Sequence, residues 1–286
     1  MGVRARNEHQ RNVLKKLDSL SGRYSRYQVY SDFVILSALQ ISNAVDLLNK
    51  PERMKQARLI EEKYSKAELR VLAEMFDEIV QGLEKDSDQD FLGELFMMCE
   101  FGSDAHGQFF TPYSVCSAMA RLNSAEDIAE KIEKQGYVSV NDCACGAGAT
   151  LIAFANYCLS RNINYQLHVL FIAQDIDFLT ACQCYIQMSL LGMPGYVAVG
   201  DTLVDPSTSV DDRGLIPTKP GRCFFTPMFF SMAWTGRKLI ARMALEEKRF
   251  RTTMEGMCAN IPTEEKPEPE EAPELKESQG GQLSLF

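Results

Sequence analysis

The spacing of apolar residues changes near the middle of this chain, and the change separates two regions of different predicted structure. Apolar positions recur every three or four residues over 8–21 and 24–49, and Pro51 follows the second segment. Residues 57–83 are rich in the helix-forming residues Glu, Lys, Ala and Leu, and residues 90–99 form another short amphipathic segment. The pattern therefore predicts an all-helical N-terminal region.

Beyond Gly107, short apolar runs alternate with segments of helical spacing. The predicted strands are 137–141, 166–173, 196–200 and a candidate fourth strand, 222–225. The predicted helices are 111–122, with Thr111 as N-cap and Pro112 in its first position, 149–161, 178–191 and 231–258. Strands and helices in alternation predict an α/β fold with a parallel sheet covered by helices.

Composition adds a third part to this picture. The chain has 286 residues, of which 45% are hydrophobic and 24% charged, as in ordinary globular proteins. From Pro262 onward Pro and Glu dominate and apolar residues are scarce, which predicts a disordered acidic tail. We therefore expect a helical N-terminal region over 1–104, an α/β domain over 105–261 and a tail over 262–286.

The formal net charge of −9 is unevenly distributed. Residues 1–26 carry a net charge of +5, whereas residues 262–281 carry −5. A basic arm on an acidic body remains compatible with a nucleic-acid partner. The last predicted helix carries basic residues that form either a surface facing DNA or an ordinary solvated face: Arg237, Lys238, Arg242, Lys248 and Arg249.

Several features bear on the cellular compartment and on metal binding. The sequence contains no apolar run of the ~18 residues that a membrane helix needs, and its first residues lack the apolar core of a secretory signal. Nine cysteines, an odd number scattered through apolar segments, favour a reduced, cytoplasmic protein. The Cys143–Cys145 and Cys182–Cys184 pairs lack the spacing of structural zinc sites. We expect a cytoplasmic protein with no membrane partner and no metal.

Candidate chemistry is concentrated in the segment 138–155, VSVNDCACGAGATLIAFA. A predicted strand ends at Asp142, a turn containing Gly146 and Gly148 follows, and an apolar helix comes next. Glycines permit a sharp turn and close approach of a ligand, and a helix N-terminus offers free N–H groups. The segment predicts either a nucleotide-like ligand at the end of the first strand or a purely structural turn. It matches neither the G-x-G-x-x-G pattern nor the P-loop.

Four further segments accompany this turn. They are DFLGEL at 90–95, GQFFTP at 107–112, AQDID at 173–177 and GDTL at 200–203. Together with DCACGAG they resemble S-adenosylmethionine-dependent DNA adenine N6-methyltransferases, in particular the modification subunit of type I restriction systems. The resemblance implies a Rossmann-like methyltransferase sheet, with S-adenosylmethionine as the cofactor.

The resemblance also implies a set of cofactor-binding residues. They are Gln108, Phe109, Thr111, Asp142, Ala144, Cys145, Gly146, Gly148, Asp175 and Asp201. Asp175 is expected to bind the ribose hydroxyls, Asp201 the adenine amino group and Thr111 the cofactor carboxylate. Phe109 and Phe110 are expected to cover the adenine or the pocket for the target base. The alternatives are that Asp175 and Asp201 are solvated strand ends and that Phe109 belongs to the core.

One part of the family pattern is missing. The Asn/Asp-Pro-Pro-aromatic motif, which holds the flipped target base in this family, has no counterpart here. Thr226, Pro227, Met228 and Phe229 follow the candidate fourth strand, so Thr226, Pro227 and Phe229 are the catalytic candidates. Strands five to seven and a target-recognition domain are also missing, so we expect a truncated methyltransferase sheet.

The last five residues, QLSLF, resemble the peptide by which bacterial replication and repair proteins bind the sliding clamp. The resemblance implies that Gln282 enters a small polar pocket of the clamp. Leu283 belongs to the same peptide, and Leu285 and Phe286 fill an adjacent apolar pocket. A disordered tail supplies the reach that such binding requires.

These observations lead to two functional hypotheses. The first is a DNA adenine N6-methyltransferase that transfers the methyl group of S-adenosylmethionine to adenine, alone or with a specificity or other subunit. The alternative is a non-catalytic, methyltransferase-derived, DNA-associated protein of a phage or mobile element that binds the sliding clamp. The missing motif leaves enzymatic activity open.

Overall fold

The computed structural model describes residues 7–99, 101, 110–122 and 125–259. Its N-terminal part consists of helices, as predicted. These are α1 (Glu8–Leu20), α2 (Arg26–Val45), α3 (Lys50–Glu61), α4 (Lys66–Lys85) and α5 (Phe91–Met98). None of the described helices is long and apolar enough to span a membrane.

Local capping explains where these helices differ from the prediction. The predicted helix over 57–83 is interrupted between α3 and α4, because Ser65 caps α4. The Ser65 side chain accepts a hydrogen bond from the N–H of Glu68 (3.3 Å), and the Glu68 carboxylate accepts one from the N–H of Ser65 (2.7 Å). The predicted helix over 24–49 likewise ends early, at Val45.

The rest of the described chain alternates helices and strands. The helices are α6 (Tyr113–Ala120), α7 (Ala125–Gln135), α8 (Ala149–Ser160), α9 (Tyr165–His168), α10 (Phe178–Leu190) and α11 (Met232–Ala259). The strands are β1 (Val138–Asp142), β2 (Val169–Asp175), β3 (Gly195–Val199) and β4 (Cys223–Phe225). Helix α7 was not predicted, and α9, capped by Asn164, takes the first residues predicted for β2. Helix α6 begins at Tyr113, with Pro112 rather than Thr111 as its N-cap.

The described strands form one sheet in the order β1-β2-β3-β4. Strands β1, β2 and β3 are parallel, as predicted. Strand β4 is antiparallel to β3, with Phe225 opposite Tyr196. The α/β class with a preceding helical region is confirmed, but the sheet is mixed, because the segment 200–222 returns the chain alongside β3 in the reverse direction.

The N-terminal helices and the sheet share one hydrophobic core. Tyr30 of α2 is fully buried; it donates a hydrogen bond to the carbonyl of Leu92 (3.3 Å) and accepts one from Gln183 of α10 (2.8 Å). The described residues up to Arg242 therefore belong to one compact unit, Met1–Arg242. A second unit covers Met243–Phe286, and its described residues are helical.

A buried arginine joins α3 to the edge of the sheet. Arg53 is 5% exposed and pairs with Asp46 at 2.8 Å. It also donates to the carbonyl of Cys223 in β4 (2.6 Å), and its guanidinium lies 4.0 Å from the centroid of the Phe224 ring. A buried charge is costly unless it is paired and hydrogen-bonded. These contacts therefore hold α3 and β4 in a fixed arrangement.

Candidate functional site

A tight glycine turn joins β1 to α8 at the carboxyl end of the parallel strands. Gly146 and Gly148 have φ angles of +53° and +97°, which residues with side chains rarely adopt. A Cβ atom at Gly148 would lie 2.9 Å from the sulfur of Cys184, and one at Gly146 would lie 3.1 Å from the Phe110 ring. The turn therefore approaches α10 and Phe110 more closely than a larger residue allows.

Two carboxylates hold this turn in shape. Asp142 accepts hydrogen bonds from the N–H of Ala144 (3.2 Å) and from the hydroxyl of Thr150. Asp175, at the end of β2, accepts one from the N–H of Gly146 (2.8 Å). The ends of two neighbouring strands thus each supply one acid that orders the turn.

The glycine turn forms one wall of a cavity of about 270 Å³. The predicted residues that line it are Thr111, Asp142, Ala144, Cys145, Gly146 and Asp175. A second cavity of about 650 Å³ shares Asp90, Phe110 and Thr111 with the first. We call the two cavities together the cleft. It lies at the carboxyl ends of β1 and β2, where ligands bind in open α/β sheets.

Two predicted residues lie beside the cleft rather than in its wall. Gly148 is the N-cap of α8. Asp201 follows β3, and its carboxylate accepts a hydrogen bond from the N–H of Leu203 (2.8 Å). The Thr202 hydroxyl donates to the carbonyl of Cys143 (2.5 Å). Asp201 thus orders a turn after β3, and the hydrogen bond of Thr202 connects that turn to the start of the glycine turn.

The predicted catalytic segment lies away from the cleft. Thr226 is buried, and its hydroxyl accepts a hydrogen bond from the N–H of Gly195 (3.0 Å), at the amino end of β3. Phe229 is 2% exposed in an aromatic cluster, and Pro227 begins a single 3₁₀ turn. Because β4 is antiparallel to β3, this segment and Asp201 lie at opposite ends of β3, a strand about 13 Å long at roughly 3.3 Å per residue. The structure therefore does not bring Thr226, Pro227 and Phe229 together with the residues that line the cleft, and their catalytic role stays a prediction.

Arg237 and Lys238, which the sequence assigned either to a DNA-facing surface or to a solvated face, both contact other parts of the protein. Arg237 donates to the carbonyl of Leu167 (2.6 Å). Lys238 donates to the carbonyl of Phe229 (2.8 Å), and its ammonium lies 4.0 Å from the centroid of that ring. Burial lowers the pKa of Lys238 to about 8. Both residues therefore anchor the first turns of α11.

Sequence reasoning missed Asp90 in the wall of the cleft and the buried Gln187 that contacts it. Asp90 lines both cavities and is 3% exposed, and burial raises the pKa of its carboxyl to about 6. Gln187 of α10 donates to Oδ1 of Asp90 and to the carbonyl of Ala147, both at 2.8 Å. An acid before an apolar helix signals an N-cap, but the sequence does not reveal its burial or its contact with α10.

The cysteine of the turn is inert. A hydrogen bond with the Cys184 thiol and burial together raise the pKa of Cys145 well above its usual range. The thiol is therefore protonated at neutral pH and is a poor nucleophile.

In the part of the chain that the structure describes, no group of three or more His, Cys, Asp or Glu side chains is arranged to hold a metal ion.

Some predicted binding residues lie outside the described part of the chain. They are Gln108, Phe109, Gln282, Leu283, Leu285 and Phe286. The expected contacts of these residues with the cofactor and the sliding clamp stay predictions.

Comparison with known proteins identifies the class to which this cleft belongs. The sequence model of the N-6 DNA methylase family matches residues 87–257, more than half of the chain, and the protein belongs to this family. No curated protein matches the chain. A solved structure from Listeria monocytogenes, classed with the class I S-adenosylmethionine-dependent methyltransferases, is similar over 71% of this chain at 20% identity and a TM-score of 0.39. The chain spans 56% of the length of that structure.

The cofactor implied by the family is S-adenosylmethionine, and the residues of the cleft fit it. The glycine turn, which packs against Phe110 and Cys184 more closely than a Cβ atom would permit, brings its backbone to the wall of the cavity. Asp90 and Asp175 offer carboxylate acceptors, and the Thr111 hydroxyl offers a donor. Such a set can accept bonds from hydroxyl and ammonium groups and donate to a carboxylate, which are the polar groups of this cofactor.

Proposed function

We propose that the protein binds S-adenosylmethionine in the cleft and acts in methyl transfer to N6 of adenine in DNA. The proposal is supported above all by the glycine turn, which two strand-end acids fix beside the cavity. Asp175 would accept bonds from the ribose hydroxyls, and Phe110, whose ring lies close to Gly146, would cover the bound nucleoside. Bound S-adenosylmethionine supplies the methyl group, and the chain orients it and excludes water.

We propose that the residues that bind the target base belong to a second subunit. Thr226 and Phe229 are buried in the core, and the half-buried Pro227 begins the 3₁₀ turn that follows Thr226. In the described residues no other segment follows a strand with a proline and an aromatic residue. DNA binding and base selection would then belong to the assembled enzyme, with this chain as its cofactor-binding part.

Calorimetric titration with S-adenosylmethionine tests cofactor binding. Replacing Asp175 by Ala removes the acceptor for the ribose and for the N–H of Gly146, so D175A is expected to bind at least tenfold more weakly than wild type. The matched control is D212A, an exposed acid outside the cleft, which should bind as wild type does. Wild type that binds no S-adenosylmethionine, or D175A that binds normally, contradicts the proposal.

Methyl transfer is tested separately. Purified protein is incubated with methyl-labelled S-adenosylmethionine and DNA of mixed sequence, with and without candidate subunits encoded beside it. N6-methyladenine in the digested product is the expected result. Label on cytosine or on protein would overturn the assignment to adenine.

A second function is favoured by one observation, the position of the Thr226–Phe229 segment at the far end of β3. In this alternative the protein is a non-catalytic, methyltransferase-derived factor that associates with DNA and the sliding clamp. Cofactor binding without transfer under every subunit condition would favour this alternative.

A further inference from the structure

Asp90 is a buried acid in the wall of the cleft. Both of its side-chain hydrogen bonds end on Oδ1, from the N–H of Gly93 (3.0 Å) and from Nε2 of Gln187 (2.8 Å). Among the described residues, no Lys, Arg or His forms an ion pair with it. Its carboxyl lines both cavities.

Among the residues that the structure describes, none gives Asp90 a compensating positive charge. The titratable groups that face it are Tyr30 of α2, Glu94 of α5, and Tyr113 and Cys116 of α6. Burial raises the pKa of Tyr30, Tyr113 and Cys116, so these three stay neutral, and Glu94 is an acid. A buried carboxylate without a cation is unfavourable by several kcal/mol. A ligand that brings a positive charge into the cleft would remove that cost.

Gln187 connects Asp90 to the glycine turn through hydrogen bonds. Its amide donates at 2.8 Å both to Asp90 and to the carbonyl of Ala147 within the turn. Thr111 lines both cavities together with Asp90. A donor for a carboxylate and an acceptor for an ammonium thus border the same space, as the binding of an α-amino acid group requires.

We propose that the Asp90 carboxylate binds the α-ammonium of the methionine part of S-adenosylmethionine, while Thr111 binds its carboxylate. This inference rests on the proposed function, because it assigns one end of the cofactor in the same cleft. The competing explanation is that Asp90 only caps α5. Asn and Ser cap helices as well as Asp does, so D90N and D90S keep the cap and remove the charge.

Three ligands separate the two explanations. S-adenosylmethionine and S-adenosylhomocysteine carry the α-ammonium, whereas 5′-methylthioadenosine lacks the amino acid part. D90N is expected to bind the first two at least tenfold more weakly and the third within twofold of wild type. The matched control is D177N at the N-cap of α10, where Asp177 accepts the N–H of Thr180 (2.8 Å); it should bind all three ligands as wild type does.

The outcomes distinguish this inference from the function on which it rests. Unchanged binding by D90N, or equal weakening of all three ligands, overturns the ammonium site while the cofactor site stands. Wild type that binds none of the three ligands overturns both. If D90N fails to fold, as judged by circular dichroism, D90S is measured with the same criteria.

Proton release gives an independent readout. An ammonium beside the carboxyl lowers its pKa, so binding of S-adenosylmethionine at pH 6 should release about half a proton from Asp90. Calorimetry in two buffers of different ionisation enthalpy measures this number. D90N should release none, and equal release by wild type and D90N contradicts the proposal.

Discussion

Asp90 and Asp175 are the same residue type at one cleft, but their surroundings give them different properties. Asp175 is partly exposed and accepts two backbone N–H groups, from Gly146 (2.8 Å) and Asp177 (2.9 Å). Asp90 is buried, and the loss of water raises its pKa to about 6. Asp175 is therefore suited to ordering the turn, whereas Asp90 carries a charge that no Lys, Arg or His in the described part of the chain balances.

The raised pKa of Asp90 predicts a stability that depends on pH. Its folded pKa of about 6 lies above the ordinary value near 4. Its contribution to stability is thus full below about pH 4 and is lost as the pH rises through 6. At pH 7 D90N should be more stable than wild type, by up to about 3 kcal/mol, and at pH 4 the difference should vanish.

Urea unfolding at both pH values in the absence of ligand measures this difference. D177N is the control, because Asp177 caps a helix in the same way without lining the cleft. A wild type that is as stable as D90N at pH 7 would contradict the unbalanced charge at Asp90.

At the scale of elements, Arg53 couples the N-terminal helices to the sheet. Replacing Arg53 by Ala leaves Asp46 buried without its cation and the carbonyl of Cys223 without its donor. Loss of one partner of a buried pair costs about 3–5 kcal/mol. The free energy of unfolding of R53A, from urea titration, should fall by that amount.

The exposed Lys134–Glu130 pair of α7 supplies the control for this measurement. Both side chains are more than half exposed, so K134A should change the free energy of unfolding by no more than about 0.5 kcal/mol. A loss below 1 kcal/mol in R53A would show that α3 and the sheet are not coupled through this residue.

The sequence was sufficient for the type of most elements, although not for α7 and α9, and was insufficient for strand direction. The turn around Gly146 and Gly148 could be located from its glycines, because their conformation is a local property. The direction of β4 could not, because three residues contain no signal for which neighbour they pair with. The position of Thr226 at the amino end of β3, away from the cleft, follows from the direction of β4. The burial of Asp90 likewise could not be predicted, because it depends on α10. The contact residue in that helix, Gln187, is 97 residues further along the chain.

At the scale of the whole molecule, the chain combines a folded unit with a charged C-terminal segment. The compact unit ends at Arg242, and the acidic residues 262–281 precede QLSLF. A disordered tail, as the composition of residues 262–281 predicts, would let the terminal peptide bind a partner independently of the cleft. Clamp binding and cofactor binding are therefore expected to be separable by deletion.

Removing residues 282–286 should abolish retention on immobilised, purified sliding clamp and leave S-adenosylmethionine binding unchanged. The matched control removes five residues, 268–272, from within the acidic segment and should be retained. Equal retention of the two deletions would refute the assignment of the C-terminal peptide.

The position of β1 at the end of the sheet has a consequence for handling the protein. No other described strand pairs with its outer edge, and Ser139 and Asn141 on it are exposed. Unpaired strand edges are sites where chains join to one another and aggregate. The glycine turn begins where β1 ends. The solubility of the isolated chain and the integrity of its binding cleft are therefore both expected to depend on the five residues of this strand, Val138–Asp142.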